Sequence, residues 1–241
     1  MRLLVTRPRE DADALAEALR QIGAAAVLAP VMTIEPEAGV NVDLAGVQAL
    51  LFTSANGVRA FASQSPIRDL PVLAVGDATA RAAAQAGFAD IESAGGDTDD
   101  LAALAAERLD AKAGALLQAA GRNVAGPLKQ DLEARGFEVR RQTFYRAQFV
   151  RTLPENARRA IADHELDGVL FFSPRTAQSF VTLAAEAGLS DALGNLYAYC
   201  LSAAVAEVAR GVRWKGVRIA AEPTQSALLE RIAADMSAEP R

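Results

Sequence analysis

A phrase that recurs at half the chain length sets the first limit on the fold. LLFTSANGVRAF, from Leu50 to Phe61, returns as VLFFSPRTAQSF, from Val169 to Phe180. Placing Phe52 on Phe171 aligns Ser54 with Ser173 and Phe61 with Phe180, an offset of 119 each time. Each copy opens as a run of large apolar residues that ends in a serine. Each then turns through small and polar residues into a helical spacing. The pattern reads as a buried strand, a tight turn and a helix. A repeat of this length points to duplicated βα lobes, not to a solenoid of short units. Both serines stand where a parallel strand hands over to a helix, the place where open α/β sheets bind ligands.

The rest of the chain alternates in the same way. RLLVT, Arg2 to Thr6, is a strand, and Leu15, Leu19 and Ile22 form the apolar stripe of a helix that Gly23 stops. AAAVLAPVM gives a second strand, and TIEPEAG, Thr33 to Gly39, has lost both periodicities and reads as a linker. A short helix is expected around Val42 to Val47, before the strand ALLFTS. PVLAVG with DATARAAAQAG, ADIES with a helix capped by GGDTDD, and GALLQAAG with a helix from Pro127 to Arg135 make three more strand–helix pairs. Arg122 and Asn123 lie in the last of these turns. FEVRRQTFYRAQFV, Phe137 to Val150, is too long for one ordinary strand. It reads as the last strand of a lobe running into a second linker. A helix from Glu155 to Asp163, GVLFFS, AYCLS, a helix from Ala203 to Arg210, GVRIA and a helix from Gln225 to Met236 complete the chain. Such alternation calls for parallel sheets with right-handed crossovers. The expected fold class is α/β with two lobes, each a parallel sheet flanked by helices, joined by a two-stranded linker. One lobe is discontinuous, residues 1–34 plus 150–241, the other is inserted, residues 39–144, and the linkers fall near 33–39 and 143–150.

Composition narrows the chemistry. A single cysteine, Cys200, excludes an internal disulfide and fits a reducing cytosol. The one histidine, His164, sits in the polar stretch ADHELDG and reads as a solvated helix-end residue. With one His and one Cys, a zinc site or a Ser–His or Cys–His centre is close to excluded. The net charge is −5 and there is no basic block, which argues against a nucleic-acid partner. No apolar run approaches the roughly 18 residues of a membrane span, and MRLLVTRPRED turns charged too soon for a secretory signal.

What remains is the series of turns at the carboxyl ends of the strands. These are Thr6-Arg7-Pro8, Ser54-Ala55-Asn56-Gly57, Gly76-Asp77-Ala78-Thr79, Ser173-Pro174-Arg175-Thr176 and Leu201-Ser202. None is GxGxxG or GxxxxGK[ST], which disfavours an NAD-linked oxidoreductase. They are hydroxyl-rich helix N-termini, which bind anions with about 0.3–1 kcal/mol each from the dipole. Two lobes presenting several such ends suit a ligand with several carboxylates or phosphates. The plainer reading of each hydroxyl is an N-cap, worth about 1 kcal/mol. Arg7 and Arg175 read equally well as ordinary surface arginines, Cys200 and Trp214 as packing residues, and Tyr145 as a half-buried linker aromatic with its hydroxyl in water.

Over nearly its whole length the sequence resembles the uroporphyrinogen-III synthase family. The resemblance rests on TRP near the start, FTSANGV, VGDATA, AGRN followed by Leu128, Leu132 and Gly136, FYRA, FFSPRT and AEPTQSALL, in that order. It implies two α/β lobes, the first discontinuous, and a cytoplasmic monomer without cofactor or metal. It also implies the reaction: closing the linear tetrapyrrole hydroxymethylbilane, which carries eight carboxylates, into a macrocycle with inversion of the last ring and loss of a hydroxyl. By the resemblance, Tyr145 of FYRA is the catalytic residue that assists departure of the hydroxyl. Ser54, Ser173 and Thr79 bind substrate carboxylates by the same resemblance, and the further candidate binding residues are Thr6, Arg7, Asn56, Gly76, Arg175 and Ser202 in these turns and Thr224 in AEPTQ. The chain departs from the family at LSAAVA, Leu201 to Ala206, where an IGPTTA-like turn is expected and only Ser202 offers a hydroxyl. The competing expectation is a non-catalytic two-lobed binding protein for a small polyanion, which needs the same helix ends but not Tyr145.

Overall fold

The computed structural model describes residues 1–122 and 126–238. The chain divides into two compact units, Met1–Thr33 with Gln148–Arg241, and Ile34–Ala147. Unit 1 opens with β1 (Arg2–Val5), α1 (Arg9–Gln21) and β2 (Ala25–Leu28). A strand that crosses the boundary follows, β3 (Met32–Pro36). Unit 2 continues with β4 (Val47–Phe52), α2 (Ala55–Gln64), β5 (Val72–Ala74), α3 (Asp77–Gln85), β6 (Ile91–Ser93), α4 (Thr98–Arg108), β7 (Ala115–Gly121) and α5 (Leu128–Ala134). The chain returns along β8 (Val139–Phe149). It ends in unit 1 with α6 (Glu155–Ala162), β9 (Gly168–Phe171), α7 (Pro174–Glu186), α8 (Ser190–Leu193), β10 (Tyr197–Cys200), α9 (Ala203–Ala209), β11 (Gly216–Ile219) and α10 (Gln225–Ala238). Among the described residues no helix is long and apolar enough to cross a membrane.

Unit 1 holds a five-stranded parallel sheet in the order β11-β10-β9-β1-β2. Unit 2 carries a six-stranded sheet in the order β3-β8-β7-β4-β5-β6. Its β4, β5, β6, β7 and β8 are parallel. β3 runs against β8, as the bonds from Glu37 N–H to Phe144 O and from Val150 N–H to Val31 O require. In each sheet the strand order reverses once, between β1 and β9 in unit 1 and between β4 and β7 in unit 2.

Helices cover both faces, so each unit has two cores. In unit 2, Val58, Phe61, Ala82 and Ala83 of α2 and α3 pack on one face, and Leu101, Ala105, Leu128 and Leu132 of α4 and α5 on the other. In unit 1, α6, α7 and α9 cover one face and α1 and α10 the other. The duplicated phrase builds the same nucleus twice. Phe52 meets Phe61 edge-on at 5.8 Å in unit 2, and Phe171 meets Phe180 at 5.3 Å in unit 1. Phe88 completes the first cluster and Trp214 the second.

The structure corrects three expectations. Residues 33–39 are not a bare linker, because Met32 to Pro36 form β3 and find backbone partners on β8. No helix forms at 42–47. Val42 and Leu44 pack as coil against the unit 2 core, and β4 begins at Val47. Phe137 to Val150 is not broken into strand and linker, because one strand of 11 residues, β8, serves both β7 and β3. His164 does end a helix exposed, and it is the one non-glycine with positive φ among the described residues. Asn123 lies outside the described residues.

Candidate active site

The unit 2 site is built around the strand-order reversal between β4 and β7. There the helices that follow neighbouring strands leave on opposite faces and open a crevice at the carboxyl ends. β4 delivers Ser54, which caps α2 in extended conformation, its Oγ accepting from the Gly57 N–H at 3.1 Å. β7 delivers Gly121, and beside it β8 delivers Tyr145.

The path of Tyr145 depends on an irregularity. The register of β7 with β8 runs Ala119–Gln142 and Ala120–Thr143, then slips to Gly121–Tyr145. Phe144 is the extra residue. Consecutive strand residues ordinarily face opposite sides, but a bulge re-aims one of them. Here both Phe144 and Tyr145 join the core on the α2 face, Phe144 with its ring centroid 5.4 Å from that of Phe61. Tyr145 lies across Gly121, where an added Cβ would stand 2.8 Å from the ring. Its hydroxyl reaches Ser54 Oγ at 3.0 Å. Gly57 is needed for the same closeness, because a Cβ there would come within 2.8 Å of the Ala119 carbonyl oxygen. Tyr145 is therefore not a linker aromatic with a wet hydroxyl. Only 5% of it is exposed, and its hydroxyl has a partner. The Arg122 guanidinium lies on Glu37 at 2.8 Å and holds that carboxyl below its usual range.

The other expected residues fall at the carboxyl ends of their own sheets. In unit 2, Asn56 in the first turn of α2 accepts from Arg59. Gly76 is the extended N-cap of α3, and Thr79 lies three residues on with 5% exposure. In unit 1, Ser173 caps α7, accepting from the Thr176 N–H at 3.2 Å and sharing a bond with Thr176 Oγ1 at 2.8 Å. Ser202 caps the two-turn α9 at 3.4 Å. Thr224 Oγ1 accepts from the Ala227 N–H and pairs with Ser226 Oγ, a hydroxyl that sequence reasoning missed. Arg7 is no loose surface arginine. It lies 4.5 Å over the Phe172 ring, donates to Gln225 and pairs with Asp11 at 3.0 Å. It thereby ties together the turns after β1 and β9, which flank the unit 1 reversal. Arg175 is exposed, over the Phe149 ring at 5.4 Å.

Thr6 is a correction. It is fully buried and its hydroxyl donates to the Leu170 carbonyl at 2.8 Å, so it fastens β1 to β9 and has no face for a ligand.

The arrangement offers a buried phenol beside a helix N-terminus in unit 2, and hydroxyl-capped or glycine-capped helix ends in both units. Comparison with known proteins gives this geometry a context. A family model described as Uroporphyrinogen-III synthase HemD matches residues 13–230. The fold is similar to that of uroporphyrinogen-III synthetase from Helicobacter pylori, with TM-score 0.66, 16% identity and coverage of 99% of this chain and 100% of that one. It is also similar to a mutant uroporphyrinogen III synthase from Thermus thermophilus, with TM-score 0.55, 20% identity and coverage of 99% and 98%. Comparison with curated protein sequences gives no match.

Proposed function

The chain belongs to the uroporphyrinogen-III synthase family, and from that premise we propose how its own residues carry the family's reaction. The reaction closes hydroxymethylbilane to uroporphyrinogen III, inverting ring D and losing water. It is a cofactor-independent cyclising lyase step of tetrapyrrole and haem biosynthesis. The terminal hydroxyl is a poor leaving group, and Tyr145 supplies its proton as a general acid. One observation carries this role: the phenol at the unit 2 strand-order reversal is buried, yet its hydroxyl is held at 3.0 Å on the N-cap of α2. The phenolate left behind lies beside the N-terminus of that helix.

The substrate's carboxylates and the protein's net charge of −5 have the same sign. Long-range steering therefore opposes binding, and local donors must hold the carboxylates. The donors we assign in unit 2 are the N-terminal turns of α2 and α3, with Asn56, Gly76 and Thr79; those we assign in unit 1 are the N-terminal turns of α7 and α10, with Ser173, Ser202, Thr224, Arg7 and Arg175. Thr6 is left out because its hydroxyl is spent inside the sheet. Most of the acceleration comes from holding a flexible chain with its reacting ends together, which can be worth roughly 7–11 kcal/mol. The protein acts as a monomer in the cytoplasm, a reading supported by the family resemblance and by its lone cysteine.

The test is to mix purified protein with fresh hydroxymethylbilane, with no cofactor added, and to separate the oxidised isomers. The type III isomer is expected to dominate. Only the type I isomer, the product of closure without inversion, from folded protein would overturn the reading.

A further inference from the structure

The two copies of the repeated turn differ at one position that decides the second partner of the cap hydroxyl. Ser173 caps α7, and the residue three further on is Thr176, whose own hydroxyl shares a hydrogen bond with Ser173 Oγ at 2.8 Å. The matching residue after Ser54 is Gly57, with no side chain. Ser54 Oγ still accepts from the backbone N–H at 3.1 Å, but its second bond goes to Tyr145, 91 residues away. The bulge in β8 and the absence of a Cβ at Gly121 both serve to bring the phenol there.

We propose that Ser54 is a positioning residue for Tyr145 and not a ligand of a substrate carboxylate. The inference rests on Tyr145 being the proton donor. Two hydroxyls that share one bond hold two protons, and only one lies between them. If Tyr145 donated to Ser54, the phenol proton would be spent inside the pair. The Gly57 N–H bonded to Ser54 Oγ polarises the serine O–H toward the phenol oxygen, because hydrogen bonds in a chain strengthen one another. Ser54 therefore donates to the phenol oxygen, and the phenol proton is turned outward. In the step itself the bond from carbon to the departing hydroxyl breaks with both electrons on oxygen. The phenol proton joins that oxygen to give water, and the positive charge stays on the pyrrole-stabilised carbon. Ser54 then donates to the phenolate, at the N-terminus of a ten-residue helix with no acidic residue in its first turn. The phenolate recovers a proton when the pyrrole carbon that forms the new bond loses its own.

The test is a mutant cycle on the full chain: wild type, Ser54→Gly, Tyr145→Phe, the double variant, and Ser54→Thr. Glycine is chosen because it is itself well tolerated as an N-cap, and unfolding midpoints check that each variant folds. The readouts are kcat and KM for uroporphyrinogen III formation. Ser54→Gly is expected to lower kcat about five- to tenfold at unchanged KM, the loss of one hydrogen bond in the transition state. In the Tyr145→Phe background the same change should alter kcat by less than about twofold, since nothing is left to position. Ser54→Thr, which keeps the hydroxyl, should recover to within about threefold of wild type. A rise in KM with kcat kept, in both backgrounds, would make Ser54 a carboxylate ligand and overturn the inference. Equal kcat losses in both backgrounds would overturn it too. If Tyr145→Phe alone leaves kcat unchanged, the general-acid role itself fails and the positioning role goes with it.

Discussion

At the scale of single residues, the unit 2 site depends on what two glycines leave out. Gly121 lies under the Tyr145 ring, so Gly121→Ala puts a methyl where the phenol rests. Overpacking of this kind costs about 1–3 kcal/mol. Because the displaced group is the proposed acid, the rate of type III formation should fall by more than tenfold while most of the protein stays folded. Parallel rate and melting measurements check this, and a stability loss with full activity would contradict it. Tyr145, Ser54 and the glycines were all visible in the sequence as separate motifs. Their contact was not, because it depends on β8 lying beside β7 and on a bulge that no periodicity reveals. Thr6 was misjudged for a related reason. β1 is buried on both faces, so its pattern could not say that the terminal hydroxyl turns inward.

At the scale of elements, strand-end serines and helix stops were legible because caps are local chemistry. Ser54, Ser173, Ser202 and Asp97 cap the helices they precede. What local chemistry could not show is how helix ends are tied together. Arg68 follows α2, and its guanidinium donates to the carbonyls of Ala62, Ser65 and Ile67 and, across to α3, of Ala86, all at 2.7–2.9 Å. It also lies over the Phe88 ring at 5.0 Å. A single guanidinium thus closes the carboxyl ends of both helices that back the site. Arg68→Ala should destabilise the protein by about 2–4 kcal/mol, since charged hydrogen bonds are lost and partly buried carbonyls are left without donors. Arg68→Lys should not restore it, because an ammonium cannot span the same fork. Denaturant unfolding of the three proteins decides the point. The stretch 42–47 failed as a helix because its apolar residues serve as coil packing, which spacing alone cannot separate from a helical stripe.

At the scale of the whole molecule, strand–helix alternation and the offset of 119 were enough to give two parallel-sheet lobes. Each duplicated phrase supplies a central strand and an aromatic pair of the same geometry. β3 was read as a linker and β8 as a strand running into a second linker, since strands with mixed burial carry little alternation. Global stability should also depend on pH in a definite direction. Burial pushes the Cys200 thiol up to about 12, and burial, then the charge of Asp235, raises the Tyr199 hydroxyl. Both groups keep protons in the folded state that the unfolded chain releases, so stability is held below about pH 9 and falls as the pH rises toward 12. A loss on the order of 2 kcal/mol is expected by about pH 10.5 from Cys200 alone, and Cys200→Ala should remove that share in urea titrations. The central claim, though, concerns catalysis: one buried phenol assists departure of the hydroxyl. Its most direct test is the ratio of wild-type to Tyr145→Phe kcat for uroporphyrinogen III formation at saturating hydroxymethylbilane. A ratio of about 10²–10⁴, with KM and unfolding midpoint little changed, is the predicted result. A ratio near one would contradict it.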